Sequence, residues 1–118
     1  MNHFVCEHRA TREFLCPLTS NTLEFRLFTE VCVKDVTLHY FKRNTTDFKK
    51  RTMTCDLFAR GRKLWEDVVV FPEQVHYIKY YFELTTEDGV RFFFNEVGLS
   101  KEEPNDGFFE FLCAGSMD

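Results

Sequence analysis

The sequence predicts an all-β fold in which seven or eight short strands form an antiparallel β-sandwich. Aromatic residues make up 17% of the 118 residues and include fifteen Phe, and aromatic side chains favour strands and large packed surfaces. Apolar and polar residues alternate in several segments, and no segment sustains helical spacing over three turns. Because a parallel sheet requires crossover connections that are usually helices, the strands are expected to pair antiparallel.

The first strands are predicted where this alternation begins. An edge strand is expected at residues 4–7, and residues 22–30 place Leu23, Phe25 and Leu27 on one face. The next three strands are expected to turn the following sets inward: Val36, Leu38 and Tyr40; then Met53, Cys55 and Leu57; then Leu64, Val68 and Val70.

The second half of the chain carries the clearest strand and turn signals. Residues 78–84 alternate most regularly, and Asp88-Gly89 after them predicts a hairpin because Gly supplies the positive φ of such a turn. Residues 90–94 then return antiparallel. A last strand at 108–112 follows the turn-forming residues 104–107.

Length and composition indicate a single domain over residues 1–118. A chain of 14.1 kDa has room for one hydrophobic core. With 44% hydrophobic and 29% charged residues it is expected to be soluble, and no apolar run approaches the roughly 20 residues that span a bilayer. Only five Gly and three Pro occur, so no linker is expected. The N-terminal residues show no secretory pattern.

The cysteines argue against a metal site and against a disulfide framework. They are odd in number and no Cys-x-x-Cys pair occurs, whereas structural zinc sites need closely spaced thiolates. Buried free thiols in a reducing compartment are expected, and hence a cytoplasmic location. The five residues are Cys6, Cys16, Cys32, Cys55 and Cys113.

No nucleic-acid partner is predicted. The net charge is −4, whereas nucleic-acid binders normally present a basic face. The basic residues that cluster are Lys42-Arg43 and Lys49-Lys50-Arg51, which are expected to form a solvated turn.

No catalytic constellation or cofactor motif is present, so this domain alone is not predicted to be an enzyme. His39 and His76 are candidates for a metal pair or a general base. Strand histidines that face solvent or cap a backbone group are favoured instead, because no acid or thiol lies near them in sequence. Glu66 and Asp67 cannot flank one bond, since adjacent strand residues point to opposite faces.

Several aromatic residues are expected on outer sheet faces. Tyr81 and Phe93 fall out of phase with the inward-facing residues of their strands. Exposed rings stack on sugars or anchor protein interfaces, and the alternative is that a neighbouring domain covers them. The further candidates for an outer face are Phe28, Phe41, Trp65 and either Phe108 or Phe109.

Short motifs occur in a fixed order along nearly the whole chain. They are Glu7-His8-Arg9, Phe14-Leu15-Cys16-Pro17-Leu18, Thr22-Leu23-Glu24-Phe25-Arg26-Leu27-Phe28-Thr29, Val36-Thr37-Leu38, Leu64-Trp65, residues 77–84, Glu96-Val97-Gly98 and Phe108-Phe109-Glu110-Phe111-Leu112. This order resembles the opening of neopullulanase and cyclomaltodextrinase-type enzymes, where a His-Arg precedes a Tyr-Pro-Leu-like step and a Thr-Leu-x-x-Arg-Leu-x-Thr strand.

The resemblance implies an N-terminal immunoglobulin-like β-sandwich of carbohydrate-binding module family 34. In that family the domain precedes a (β/α)8 barrel of glycoside hydrolase family 13, which holds the catalytic Asp, Glu and Asp and is absent from these 118 residues. The implied parent is a retaining glycosidase acting on cyclodextrins, pullulan or maltooligosaccharides. The implied partners of the domain are an α-glucan or cyclodextrin, its own catalytic barrel and, in a homodimer, a second copy of the parent.

The chain departs from the family pattern after the third strand. Family members often carry an Asp-Pro-Tyr-x-Trp stretch there, whose aromatics reach the active site of the partner subunit. Residues 42–48 contain no Trp and offer only Phe48 as a substitute. Some relatives hold calcium in this domain, but their ligands have no match here, so no metal is predicted.

Three functions are therefore considered for the domain. The first is a non-catalytic accessory domain that contributes to α-glucan binding, active-site shaping or dimerisation. Its binding residues would be the stacking rings and polar groups of Trp65, Tyr40, Phe41, Phe48, Asn44 and Asp47. The alternative is a purely structural immunoglobulin-like docking module without sugar affinity, and a third possibility is a free-standing interaction module.

Overall fold

The computed structural model of the protein describes residues 4–42 and 49–112. They form eleven β-strands and no helix, in two antiparallel sheets, so the predicted all-β sandwich is confirmed. Within these two ranges no helix has the length and apolar composition needed to cross a membrane. The strands are β1 (Cys6–Glu7), β2 (Leu15–Thr19), β3 (Thr22–Glu30), β4 (Val33–Lys42), β5 (Lys49–Thr52), β6 (Thr54–Ala59), β7 (Arg62–Val70), β8 (Tyr77–Thr86), β9 (Arg91–Phe94), β10 (Leu99–Ser100) and β11 (Phe109–Leu112).

Each sheet is built around one long strand whose outer edge is shared by two shorter ones. In the first sheet, ordered β1-β3-β7-β6, strand β2 pairs with the N-terminal end of β3 and β1 with its C-terminal end. In the second sheet, ordered β10-β9-β8-β4-β5, strand β11 pairs with the beginning of β8 and β9 with its end. The chain crosses from the second sheet to the first at Met53, between β5 and β6.

Eight of these strands coincide with predicted ones, and three were missed because they lack alternation. Strand β2 contains Pro17 and a bulge, β5 is entirely polar and exposed, and β10 has two residues. The predicted Asp88-Gly89 hairpin is confirmed: Gly89 has a φ of 85°, and the Thr86 N–H donates to the Val90 carbonyl at 2.9 Å.

The core lies between the sheets and is dominated by aromatic and branched side chains. Tyr80 of β8 stacks on Phe109 of β11 with ring centroids 5.3 Å apart and meets Phe25 of β3 edge-on at 5.2 Å. The buried residues of this core are Leu15, Leu23, Phe25, Leu27, Val33, Val36, Leu38, Met53, Trp65, Val69, Phe71, Val75, Ile78, Tyr80, Phe82, Leu84, Phe109 and Phe111.

One buried histidine joins the two sheets through polar contacts. His8 follows β1 and lies within the core, where its Nδ1 is 2.7 Å from the Arg26 carbonyl of β3 and its Nε2 is 2.7 Å from the Tyr80 hydroxyl of β8. A carbonyl only accepts, so Nδ1 carries the proton and Nε2 accepts from Tyr80. Burial lowers the pKa of His8 to about 4, and the same burial raises the pKa of Tyr80.

The predicted phase of β7 is wrong. Its inward residues are Lys63, Trp65, Asp67 and Val69, so the expected inward set of Leu64, Val68 and Val70 lies on the outer face. Two of the inward residues are charged, which hid the alternation. The Lys63 ammonium donates to the Val33 carbonyl at 2.7 Å, and Asp67 pairs with Arg51 of the other sheet.

Trp65 was expected on an outer face, and this expectation is wrong: the residue belongs to the core. Its ring is 4% exposed, and its indole N–H donates to the Thr29 hydroxyl at 2.9 Å. An indole that is buried this deeply cannot stack on a ligand while the sandwich stays folded.

The free cysteines pack as small apolar side chains. Cys6, Cys16, Cys32 and Cys55 are all half-buried and free, and Cys113 lies outside the described residues. Three of them, Cys6, Cys32 and Cys55, lie against the core. Burial raises the pKa of the Cys6 thiol to about 12, which keeps it protonated and unreactive near neutral pH.

The phase of β7 can be tested with one chemical change at two adjacent positions. Val69 is 1% exposed and Val70 is 68% exposed. We expect Val69→Ala to lower the free energy of unfolding by about 2 kcal/mol, since it removes buried methyl groups and leaves a cavity. Val70→Ala is expected to change it by less than about 0.5 kcal/mol. Urea denaturation of both variants measures the two free energies of unfolding. A larger loss for Val70→Ala than for Val69→Ala would contradict the observed phase and support the one predicted from the sequence.

Candidate functional site

The second sheet carries an aromatic layer on the face that points away from the core. Alternation along β4 turns His39 and Phe41 outward, and alternation along β8 and β9 does the same for Tyr81 and Phe93. Phe108, just before β11, joins them. These five residues are called the outer aromatic layer below.

The rings of this layer stack across neighbouring strands. His39 lies opposite Tyr81, and their rings are parallel, with centroids 4.6 Å apart and an interplanar angle of 2°. Tyr81 also stacks on Phe108 at 5.8 Å and contacts Phe93 at 6.3 Å. Cross-strand aromatic pairs of this kind stabilise a sheet in addition to burying surface.

The centre of the layer is sealed by residues of the same chain. Tyr81 is 1% exposed, and His39 and Phe93 are also buried. The Tyr81 hydroxyl donates to Glu103 Oε2 at 2.6 Å, and burial raises the pKa of Tyr81. The expectation of exposed Tyr81 and Phe93 rings is therefore wrong, and the chain supplies its own cover through Glu103 and Phe108.

His39 is paired with an acid that the sequence did not place beside it. Its Nε2 lies 2.7 Å from Glu83 Oε1, and the other oxygen of Glu83 lies 3.4 Å from Arg91. Both the solvent-facing and the backbone-capping expectations for His39 are wrong. His76 is exposed, and among residues 4–42 and 49–112 no group of three His, Cys, Asp or Glu side chains could hold a metal ion.

The layer is more open at the end where β4, β8 and β11 meet. Phe41 and Phe108 are half-buried there and meet edge to face, with centroids 5.8 Å apart. The Lys79 ammonium lies 5.6 Å from the Phe41 ring centroid. Glu110 is opposite Lys79 in the strand register and accepts a hydrogen bond of 2.7 Å from the Tyr77 hydroxyl. We call these five residues the Phe41 corner.

The predicted sugar-binding residues are not all brought together. Phe41 faces outward as expected, but Tyr40 turns to the opposite side of the sheet and meets Phe71 edge-on at 5.5 Å. Burial raises the pKa of Tyr40. Trp65 lies in the core. The remaining three residues, Asn44, Asp47 and Phe48, lie outside the described residues.

Sequence reasoning missed the polar members of the Phe41 corner. Tyr77, Lys79 and Glu110 come together because β11 pairs with the first residues of β8, from Phe109↔Tyr80 to Leu112↔Tyr77. The alternation along β11 does predict that Glu110 points outward. That it lies beside Lys79 follows only from the pairing of β11 with β8. Phe108 was one of the two alternatives for an outer ring, and it is the one on the outer face; Phe109 is in the core.

Comparison with known proteins identifies a family and solved structures with a similar fold. Residues 1–115 match the family model described as the alpha amylase, N-terminal ig-like domain. A cyclomaltodextrinase structure has a TM-score of 0.79 at 20% identity, over 91% of this chain and 19% of that one. A maltogenic amylase structure from S. marinus has a TM-score of 0.68 at 12% identity, over 92% of this chain and 14% of that one. No curated protein matches the sequence.

The two structural relatives show the fold, and the chain spans about a fifth or less of their length. The predicted resemblance to this group of enzymes is confirmed by the family match.

The seal over the outer aromatic layer can be tested by removing one hydroxyl. Tyr81→Phe deletes the contact with Glu103, and we expect a loss of about 1 kcal/mol in the free energy of unfolding and faster amide exchange in residues 101–107. Tyr77→Phe removes an exposed hydroxyl bond of similar length and serves as the control. Hydrogen exchange read by mass spectrometry reports on both, and equal exchange in the two variants would contradict the seal.

Proposed function

The chain belongs to the alpha-amylase N-terminal Ig-like domain family, and we propose that it is a non-catalytic accessory domain that binds α-glucan for a glycoside-hydrolysing parent enzyme. The binding surface in this proposal is the Phe41 corner, together with residues 42–48, which adjoin it in sequence. The ligand class is a cyclodextrin or a maltooligosaccharide. The names of the two structural relatives, a cyclomaltodextrinase and a maltogenic amylase, support this choice of ligand class.

The observation that carries the proposal is the arrangement of the Phe41 corner. A glucose ring presents a C–H face, which packs on an aromatic ring, and a rim of hydroxyl groups, which need donors and acceptors. Phe41 and Phe108 offer two rings at right angles. Lys79 and Glu110, with the Tyr77 hydroxyl, place a cation and a carboxylate beside those rings, which matches the few polar groups that fix a ligand in an otherwise apolar site.

A structural role is the second candidate, and the first sheet supports it. On the outer face of that sheet, Val68 and Val70 are exposed, and the cross-strand pair of Leu64 and Phe28 is half-buried on the other side of the Arg26–Glu66 ion pair. Apolar residues grouped on one face favour burial against another protein surface. In this second proposal the domain docks on its own catalytic barrel or on a second subunit, without affinity for sugar.

A titration separates the two roles. We expect β-cyclodextrin and maltotriose at millimolar concentration to shift the amide signals of β11 and of the C-terminal end of β4 in the ¹⁵N-labelled domain. Phe41→Ala should weaken this binding at least tenfold, because the ring that stacks on the sugar is lost. Phe28→Ala is the matched control, since Phe28 is also half-buried on an outer face beneath a cation, with Arg62 4.9 Å from its ring centroid.

Two results would contradict sugar binding at the Phe41 corner. One is the absence of any shift at millimolar ligand, which would leave docking as the role of the domain. The other is equal weakening by Phe41→Ala and Phe28→Ala, which would mean that the substitutions act through stability. Circular dichroism of both variants verifies that each remains folded.

A further inference from the structure

The N-terminal arm, defined as residues 4–9, is held to the sandwich by few backbone bonds. Its strand β1 has two residues, which pair with the end of β3 as Cys6↔Thr29 and Glu7↔Phe28. An edge strand of this length contributes little cohesion by itself. The arm therefore depends on its side chains to stay in place.

Three side-chain contacts hold the arm near its surface. The Val5 N–H donates to Glu30 at 2.6 Å, Arg62 pairs with Glu7 at 2.6 Å, and Phe4 meets Phe92 edge-on at 5.0 Å. The Arg62 and Glu7 side chains are each about two-fifths exposed, and an ion pair that is this exposed adds little stability. Phe4 and Cys6 also pack against the core, but both are only half-buried, so these contacts together leave the arm weakly attached.

His8 is the deep attachment. At 6% exposure it is the buried member of residues 4–9, and the others are half-buried or exposed. Its ring meets four aromatic rings edge-on at centroid distances between 4.9 and 5.6 Å, those of Phe14, Tyr80, Phe82 and Phe109. The two hydrogen bonds to Arg26 and Tyr80 use both ring nitrogens.

Among residues 4–42 and 49–112, the surroundings of His8 suit a neutral ring, and no charged side chain pairs with it. The titratable group of β8 that faces His8 is the Tyr80 hydroxyl, and strand β3 presents the Arg26 carbonyl. The Arg26 guanidinium lies on the outer face of the sheet, where it pairs with Glu24 and Glu66. The turn before β2 presents Phe14 to His8, β11 presents Phe109, and β8 adds Phe82. Glu96 acts on Tyr80 through its charge alone. A second proton would sit on Nε2, where the Tyr80 hydroxyl now donates.

We propose that the N-terminal arm is a pH-released latch: protonation of His8 detaches residues 4–9 from the sandwich while the two sheets remain folded. The proposal is independent of sugar binding. The rest of the first sheet keeps its own support, since β3 pairs along its whole length with β7 and at its other end with β2. The two sheets also meet through core contacts that do not involve His8, such as Tyr80 of β8 against Phe25 of β3, and these remain when the arm leaves.

The direction of the effect follows from the two states of the histidine. The free arm takes up its proton near the ordinary pKa of 6.5, whereas burial lowers the pKa of His8 in the docked arm to about 4. Between these values only the free arm is protonated, so docking weakens as the pH falls and is independent of this group above pH 6.5. The equilibrium constant for docking falls tenfold per pH unit in this window, to a total of roughly 300-fold.

Hydrogen exchange of the 118-residue chain between pH 7.5 and pH 4 tests the latch. We expect the amides of residues 5–9 to lose protection between pH 6.5 and pH 4, after correction for the intrinsic exchange rate, while amides of β4 and β8 stay protected. His8→Gln cannot titrate, so its arm should be loose at neutral pH and insensitive to pH in this window. His76→Gln changes an exposed histidine and should reproduce the wild-type profile.

Further variants keep the test decisive. Tyr80→Phe retains the titrating ring but removes its hydroxyl partner, so release should move to higher pH, and this variant serves if His8→Gln does not fold. Glu7→Gln removes an arm carboxylate and should keep the pH dependence. The proposal is overturned if the arm and the core lose protection at the same pH, if His8→Gln keeps the wild-type profile, or if Glu7→Gln or His76→Gln abolishes it.

Discussion

The buried hydroxyl of Tyr80 is the constraint around which this sandwich is arranged. Tyr80 lies in the centre of the core with no exposed surface, and a hydroxyl buried without a hydrogen-bond partner costs several kcal/mol. Its partner is His8, which comes from the opposite sheet and carries a second bond to the β3 backbone. The same Tyr80 ring stacks on Phe109 and so fixes β11 beside the beginning of β8. One residue thus links both sheets and sets the register that assembles the Phe41 corner.

The centre of strand β8 is buried on both faces. Ile78, Tyr80 and Phe82 enter the core, whereas Tyr81 belongs to the sealed centre of the outer aromatic layer. A strand of this kind usually occupies the middle of a sheet covered by helices. Here the cover is made of aromatic rings from neighbouring strands and of Glu103.

The sequence predicts elements well where one strand's own residues decide its environment. The alternation in β3 and β8 and the Asp88-Gly89 hairpin are confirmed. Prediction fails where a partner distant in sequence changes the environment of a residue. Lys63 faces inward because its ammonium donates to the Val33 carbonyl, and Asp67 does so because it forms an ion pair with Arg51. His39 meets Glu83 only because β4 pairs with β8 in a particular register.

The candidate site follows the same division. Parity along β4 places Phe41 on the outer face, but it also gives Tyr40 the opposite orientation, so two adjacent rings cannot serve one ligand. The polar part of the Phe41 corner comes from pairing between β8 and β11 and cannot be read from either strand alone. For Asn44, Asp47 and Phe48 the sugar-binding role stays a prediction from the resemblance, since they lie outside the described residues.

The two outer faces of the sandwich are suited to different contacts, so the proposed roles do not compete for one surface. On the second sheet the centre is sealed and the Phe41 corner combines rings with polar groups. On the first sheet Arg26 lies between Glu24 and Glu66, next to the exposed Val68 and Val70. Half-exposed ion pairs are weakly held, and valines give up water readily, so covering this face costs little. A domain docked through its first sheet would still present the Phe41 corner to a glucan.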